Sequence, residues 1–248
     1  MSNILVLGEP GTGKSRAIKG LDPKTTVILK PNNKALPFPG WATNYILNKN
    51  MFVLSGIRSL GDTILGPFPK SSDGKTIDRT KPRETAKGIN AATNIKTVVV
   101  EDFTHYMTKK VVGDSTIKGY DKWTEIAVWI YQNMADLESN IRPDLDVIFI
   151  AHSDIKENIE GIVEIGMQTS GKMLDKMKLP SYFTYVFHSK VVFADEQAKY
   201  LMQTNRDGIR LAKTPEGMFP MDVDNDYGKI LARIHAYENG TAEPLVEA

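Results

Sequence analysis

One glycine-rich segment constrains this chain more than any other part of its sequence. Residues 8–15 read Gly-Glu-Pro-Gly-Thr-Gly-Lys-Ser and match the pattern GxxxxGK[ST] without a gap. That pattern requires a strand before it and a helix after it. Residues 4–7 form a short β-rich run, and residues 15–21 can begin a helix, so both requirements are met. The chain is therefore predicted to build an α/β fold around this turn.

The same segment predicts a phosphate-binding loop. Its glycines let backbone N–H groups turn toward a phosphate chain, at a helix N-terminus that already favours anions. Lys14 would place its ammonium near the outer phosphates, and the Ser15 hydroxyl would bind Mg²⁺. We predict ATP and Mg²⁺ as cofactors, a catalytic Lys14, and a nucleotide site formed by Gly8, Glu9, Pro10, Gly11, Thr12, Gly13, Lys14, Ser15 and Arg16. The alternative is an ordinary glycine-rich turn before a helix.

The first two-thirds of the chain supply the other parts of a parallel sheet. Apolar, β-branched runs predict strands at 25–29, 97–100 and 146–151, and the last two are continuous, as in strands buried on both faces. Apolar side chains three and four residues apart predict a long helix over 120–141, which Pro143 ends. Shorter helices are predicted at 42–48 and 103–111, and a short strand at 52–54.

The last third changes to an alternating pattern. Residues 162–165, 183–193 and 200–204 predict antiparallel strands, with a short helix at 171–177 and a final helix at 225–237. The predicted class is thus α/β, a P-loop NTPase with a parallel core sheet flanked by helices and with appended antiparallel strands. We predict one domain over residues 1–248, with a C-terminal helix and tail over 225–248.

Residues 55–87 form the most basic part of the sequence. Residues 55–82 are rich in Gly, Pro, Ser, Lys and Asp and predict a long mobile insertion. Most of its basic residues lie in the second half of the segment, at Lys70, Lys75, Arg79, Lys81, Arg83 and Lys87. They indicate either a solvated charged loop or a nucleic-acid contact.

Composition excludes several other classes. The chain has no cysteine, which excludes a disulfide framework, a thiol nucleophile and a Cys-ligated metal site. Its 31 basic and 30 acidic residues give a net charge of +1, so only a local basic groove is compatible with nucleic-acid binding. No run approaches the roughly 18 apolar residues of a membrane span, and no basic segment precedes the apolar start. We therefore expect a cytoplasmic protein with no signal peptide and no membrane attachment.

Two carboxylates follow the buried strand at 97–100. A phosphate-binding loop needs a carboxylate on a neighbouring strand to hold Mg²⁺, and often a second one to polarise the attacking water. Glu101 and Asp102 follow such a strand and are both predicted to be metal-binding and catalytic. Because side chains alternate along a strand, we expect the two to point in different directions. The alternative for either is a cap on the helix at 103–111.

A histidine follows the next buried strand. His152 could contact the terminal phosphate, or it could transmit the loss of that phosphate to a distant loop. We predict that it is catalytic. The alternative is a hydrogen-bonded histidine with a structural role. The other histidines, His105, His188 and His235, have no metal-ligand spacing and are expected to be structural.

Several segments, taken in order, resemble a known group of proteins. Together they span residues 4 to about 226 and comprise the phosphate loop, 34–38 (Lys-Ala-Leu-Pro-Phe), 99–105 (Val-Val-Glu-Asp-Phe-Thr-His), 151–153 (Ala-His-Ser), 171–175 (Gly-Lys-Met-Leu-Asp), 183–186 (Phe-Thr-Tyr-Val), 203–208 (Gln-Thr-Asn-Arg-Asp-Gly) and 212–219 (Ala-Lys-Thr-Pro-Glu-Gly-Met-Phe). This ordered set resembles the single-domain RecA-like ATPases of phages. These are commonly called AAA-type and are linked to single-strand recombination or annealing.

The resemblance implies a RecA-like fold, Mg-ATP hydrolysis, head-to-tail self-association and single-stranded DNA as a partner, in the host cytoplasm if the chain is phage-encoded. ATP would lie between protomers, and Lys213 is similar to the basic residue that a neighbour brings to the terminal phosphate. Arg206 or Arg210 could take this role instead of Lys213. The alternative is that both arginines are ordinary surface charges. The group usually carries Asp at the metal-binding position, where this chain has Glu101 followed by Asp102, so the division of roles between these two stays open.

Three functions are compatible with these residues. The first is an ATP-driven protein of DNA recombination or replication, with a second basic stretch at Lys156, Lys172, Lys176 and Lys178. Both basic stretches are poor in aromatic residues, so DNA binding by a monomer should be weak and salt-sensitive. The second is a small-molecule or nucleotide kinase that uses residues 58–83 as a lid. The third is a nucleotide-regulated scaffold with little turnover.

Overall fold

The computed structural model describes residues 3–54, 56–113, 121–157, 161, 163–169, 172–194 and 197–242. Within these ranges the chain forms ten strands and six α-helices. The strands are β1 (Asn3–Leu7), β2 (Thr26–Lys30), β3 (Met51–Val53), β4 (Thr97–Val100), β5 (Asp146–Ile150), β6 (Ser153–Glu157), β7 (Val163–Met167), β8 (Tyr185–Ala194), β9 (Gln197–Gln203) and β10 (Asp222–Asp224).

The α-helices account for most of the predicted helical segments. They are α1 (Trp41–Asn44), α2 (Ile57–Leu65), α3 (Phe103–Gly113), α4 (Asp121–Asn140), α5 (Lys172–Lys176) and α6 (Tyr227–Glu238). The helix predicted after the glycine loop is a 3-10 helix, Ser15–Gly20. None of the helices in the described ranges is both long and apolar enough to span a bilayer.

Eight strands form one sheet in the order β10-β9-β8-β1-β5-β4-β2-β3. From β8 to β3 all neighbouring strands are parallel, whereas β9 and β10 are added antiparallel to the edge. The strand that leads into the glycine loop, β1, lies between β5 and β8. This order confirms the predicted class, a parallel core with appended antiparallel strands.

Side-chain alternation along the central strands separates two apolar layers. Along β1, Leu5 and Leu7 pack on one face of the sheet with residues of α2, α3, α4 and α5. Ile4 and Val6 pack on the other face with the 3-10 helix and α6. Both faces of the sheet are thus covered, which is why the central strands are apolar at every position rather than at every second one.

The antiparallel part differs from the prediction in three respects. β8 pairs with β9 in antiparallel fashion as expected, but its other edge is parallel to β1. β10 was not predicted, because three residues give too short a pattern. β6 and β7 form a separate two-stranded hairpin. Parts of the predicted elements, at Tyr120, Ile162, Gly171 and 243–248, lie outside the described residues.

The prediction of a long mobile loop over 55–82 was wrong in part. Helix α2 lies within this segment, with Leu60 and Ile64 buried against the sheet. Further along, Arg83 is only 8% exposed and pairs with Asp62 of α2 at 2.9 Å and Asp136 of α4 at 2.8 Å. The polar composition of the segment concealed a short amphipathic helix, whose apolar residues stand four positions apart.

Candidate phosphate-binding site

The glycine loop has a backbone that other residues could adopt only with strain. Gly11 and Gly13 have φ angles of +84° and +94°, in the left-handed region. A Cβ atom on Gly8 would lie 2.7 Å from Thr12 Oγ1, and one on Gly13 would lie 2.6 Å from Tyr200 Cδ1. The loop therefore packs too closely for side chains at these positions.

Three other elements hold the loop from behind. The Ser189 hydroxyl of β8 donates to the Thr12 carbonyl at 2.5 Å. The Tyr227 hydroxyl of α6 donates to the Lys14 carbonyl at 2.8 Å, and the Ser153 N–H donates to the Gly8 carbonyl at 3.2 Å. A loop supported in this way keeps its shape before a ligand binds, which reduces the cost of binding.

Lys14 lies inside the loop and is only 7% exposed. Its ammonium donates to the carbonyl oxygens of Gly8 and Glu9, both at 2.7 Å. Burial lowers the pKa of Lys14 to about 8, although the charges of Asp102 and Glu9 act in the opposite direction. The side chain is therefore a buried cation at neutral pH, held by neutral carbonyls, and an anionic oxygen would satisfy it better.

A cavity of about 410 Å³ lies in front of the loop. Of the predicted nucleotide-binding residues, it is lined by Pro10, Gly11, Gly13, Lys14, Ser15 and Arg16. Glu9 and Thr12 instead line a neighbouring cavity of about 450 Å³, and Gly8 contributes its carbonyl to Lys14. Glu101, Asp102 and His152 line the first cavity. The structure therefore brings the predicted loop, carboxylates and histidine together.

Glu101 and Asp102 both line this cavity, and each has a different neighbour, Lys30 for Glu101 and His152 for Asp102. β4 ends at Val100. Asp102 has a φ angle of +55°, in the left-handed region. Side-chain alternation applies only to extended backbone, so it does not reach these two residues.

Glu101 lies between the loop and the end of β2. Burial raises the pKa of Glu101, while a hydrogen bond with Ser15 and the charge of Lys30 act against this rise. Its Oε2 atom is 3.8 Å from Lys30 Nζ. The contact with Ser15 is the one expected of two groups that share a metal ion.

Asp102 faces His152 across the cavity floor. Its Oδ1 atom is 3.4 Å from His152 Nε2, too long for a strong hydrogen bond. Burial alone would raise the pKa of Asp102, but the neighbouring His152 and the charge of His105 bring it below its usual value. Oδ1 is buried and lacks a hydrogen-bond partner among the described residues. Asp102 is therefore an ionised carboxylate with an unused hydrogen-bond acceptor.

Sequence reasoning did not assign a role to three polar residues at or beside this cavity. Tyr200 of β9 lies on the wall, with the Arg16 guanidinium carbon 4.8 Å from its ring centroid, a cation–π arrangement. Lys34 lines the cavity from the segment after β2. Lys30 is 1% exposed and supports Glu101 from behind. A lysine at the end of an apolar strand was a visible signal, whereas Tyr200 enters only through the pairing of β9 with β8.

Lys213 does not belong to this cavity. Its backbone pairs with Val186 at the edge of β8, and its exposed side chain lines a different cavity of about 440 Å³. The two suggested substitutes are already paired, Arg206 with Glu164 at 3.3 Å and Arg210 with Asp207 at 2.8 Å. Lys213 forms no ion pair with a carboxylate in the described ranges.

The residues around the first cavity suit a magnesium–triphosphate group. The glycine loop offers a concave backbone, Lys14 a buried charge, and Asp102 Oδ1 an unused acceptor. Carboxylate and hydroxyl oxygens are the ligands that Mg²⁺ prefers, and it usually takes only one or two from the protein. Fold and loop together define an α/β protein with a phosphate-binding loop at the end of a central parallel strand.

Comparisons with known proteins add similarity of fold only. No protein-family model matches the chain, and no curated protein matches it. Among solved structures, the flagellar accessory protein FlaH from Methanocaldococcus jannaschii is 11% identical, with 89% of this chain and 83% of that chain covered and a TM-score of 0.44. A KaiC-like protein from Pyrococcus horikoshii is 10% identical, with 86% and 82% covered and a TM-score of 0.41. Similarity at this level says nothing about activity.

Proposed function

We propose that this protein binds Mg-ATP in the first cavity and hydrolyses it. The observation that carries the proposal is the position of Lys14, a buried cation inside a glycine loop, in a cavity that it shares with Glu101 and Asp102. The phosphate chain would follow the loop backbone, with Lys14 exchanging its carbonyl partners for phosphate oxygens.

Ser15 and Glu101 would hold the metal ion, because these two side chains are already in contact. Mg²⁺ bound there supplies a positive charge that neutralises the phosphate oxygens. Asp102 has a different role in this proposal. Its carboxylate lines the cavity and would accept a hydrogen bond from the attacking water, and His152 beside it favours the ionised form.

We further propose that protomers assemble head to tail and act on single-stranded DNA. Support for assembly comes from Lys213, an exposed cation without a carboxylate partner in the described ranges, outside its own phosphate site. A neighbour's Lys213 would approach the terminal phosphate across the interface. For DNA, exposed Lys70 and Lys75 form no ion pair within the described residues, whereas Lys81 and Lys87 pair with Asp78 and Glu84. The binding surface of one protomer is thus small.

The test is phosphate release and sedimentation of the protein with Mg-ATP, with and without single-stranded DNA. Lys14→Met provides the reference without hydrolysis. We expect phosphate release by the wild type alone, and faster release with a large assembled species when DNA is added. Absence of release contradicts ATP hydrolysis. Release without stimulation or assembly contradicts the DNA role, and ADP that forms only with an added acceptor identifies a kinase instead.

A further inference from the structure

One wall of the first cavity has no role in the function proposed above. This wall is the segment after β2, of which Pro31, Asn32, Lys34, Ala35 and Pro37 line the cavity. It contains the Lys-Ala-Leu-Pro-Phe sequence at 34–38. A segment this close to the phosphate site is positioned to contact a bound nucleotide.

The backbone of this wall is held in place by buried groups. Lys30 donates its ammonium proton to the Lys34 carbonyl oxygen. Leu36 and Phe38 are buried in the core below the wall. At the start of the segment, Lys109 of α3 donates to the Pro31 carbonyl. These contacts therefore fix the backbone conformation of the segment in the absence of a ligand.

The side chain of Lys34 is left free by these contacts. It is exposed to the cavity and forms no ion pair with any carboxylate in the part of the chain that the structure describes. Its positive charge contributes to the lowered pKa of Lys14 and favours the ionised form of Glu101. Lys34 thus acts electrostatically on both sides of the place where phosphate would lie.

We propose that Lys34 is a second phosphate-binding cation, which contacts the terminal phosphate of ATP bound to the same protomer. This inference rests on the proposed function. During hydrolysis a water oxygen bonds to the terminal phosphorus, the bond from phosphorus to the ADP oxygen breaks, and the water proton leaves toward Asp102. Lys34 keeps its proton throughout and neutralises charge on the transferred phosphoryl oxygens.

Lys34 differs from Lys213 because it can contact the phosphate without assembly of a second protomer. Lys213 lines a cavity that shares no lining residue with the first, and in the function proposed above it acts on a neighbour's nucleotide. Lys34 is already at the phosphate site. It therefore gives an isolated protomer some affinity for the terminal phosphate and some basal turnover, at protein concentrations where no assembly forms.

The experiment compares binding of a non-hydrolysable ATP analogue and of ADP, each with Mg²⁺, to the full chain as a dilute monomer. The variants are Lys34→Met and Lys34→Arg, with Lys49→Met as the matched control, an exposed lysine that lies outside the cavity. We expect Lys34→Met to weaken the ATP analogue about tenfold and ADP less than twofold, since one charge-assisted contact is lost. Lys34→Arg should restore most of the affinity, and Lys49→Met should match the wild type.

Equal weakening of both nucleotides, or no weakening, overturns the proposal. Urea unfolding of Lys34→Met identifies a structural cause of equal weakening. A wild type that binds both nucleotides while Lys34→Met behaves identically removes the role of Lys34 and leaves the proposed function standing. A wild type that binds neither nucleotide removes both. Recovery of turnover on mixing Lys34→Met with Lys14→Met also contradicts the proposal, because a residue of the same protomer cannot be supplied by a neighbour.

Discussion

At the scale of single residues, the buried Lys14 that the proposed ATP hydrolysis requires also lowers the stability of the fold. Its pKa of about 8 in the folded protein, against an ordinary 10.5, means that folding disfavours the charged form. The free energy of unfolding is therefore reduced at pH 7 and rises between pH 8 and pH 10.5. Lys14→Met should raise it by about 1 kcal/mol at pH 7 and abolish ATP hydrolysis. Urea denaturation and phosphate release measure the two effects, and a destabilised or active variant would contradict this account.

His188 should make the protein sensitive to mild acid. It is 3% exposed, and burial, followed by the charge of Arg210, lowers its pKa to about 4 while Leu211 and Asp207 oppose the shift. In the unfolded chain histidine titrates near 6.5, so between pH 6.5 and 4 only the unfolded state takes up this proton. The free energy of unfolding should fall by up to about 1.4 kcal/mol per pH unit over that range. His188→Leu should flatten this slope in urea titrations at pH 7, 6 and 5, and parallel slopes would count against it.

Local spacing was enough to predict some site residues but not others. Lys14 and Ser15 follow from one continuous pattern, and the structure places them at one cavity with Glu101. The direction of Asp102 could not be derived from strand alternation, because it depends on a single positive φ angle beyond the strand end. Tyr200 was missed although the antiparallel pairing of β8 with β9 was expected, because local spacing does not show that its ring reaches the phosphate loop.

At the scale of elements, pattern length decided what could be predicted. The four-residue apolar run of β4 and the repeated spacing in α4 each indicate one type of element, and both are present. In β8 the alternating pattern predicted a strand but not its parallel edge, because partners are chosen by the whole sheet. Helix α2 was missed because it has nine residues within a polar segment, and tertiary packing stabilises helices this short.

The attachment of α2 to α4 through Arg83 gives a prediction for this segment. Arg83 bridges Asp62 and Asp136 and lies over the Phe68 ring, 3.9 Å from its centroid. Arg83→Met would leave two partly exposed carboxylates without their cation, which should lower the free energy of unfolding by about 2 kcal/mol. Lys87→Met removes only an exposed pair with Glu84 and should cost less than about 0.5 kcal/mol. Urea denaturation of both variants measures the difference, and equal losses would show that the Arg83 pairs are unimportant.

At the scale of the whole molecule, the proposed active site is divided between two surfaces. The phosphate loop lines one cavity and Lys213 lines another, and the two share no residue. Groups on different surfaces of one protomer can meet only when one copy presents the first surface and the next copy presents the second. Such a contact is head to tail and closes into a ring or continues as a filament. The proposed assembly therefore makes turnover depend on protein concentration.

Mixing two impaired variants tests this arrangement directly. Lys213→Ala should lower turnover of the assembled protein at least about tenfold, since it removes a cation from the transition state, and should leave ATP affinity of the monomer unchanged. Lys14→Met has an inactive loop but an intact Lys213 to offer its neighbour. In an equal mixture about a quarter of the sites combine an intact loop with a neighbour's Lys213, so about a quarter of wild-type turnover should return. Lys24→Ala, an exposed lysine outside both cavities, serves as the matched control and should behave as the wild type. No recovery in a mixture that sediments as mixed assemblies would return Lys213 to ordinary surface charge.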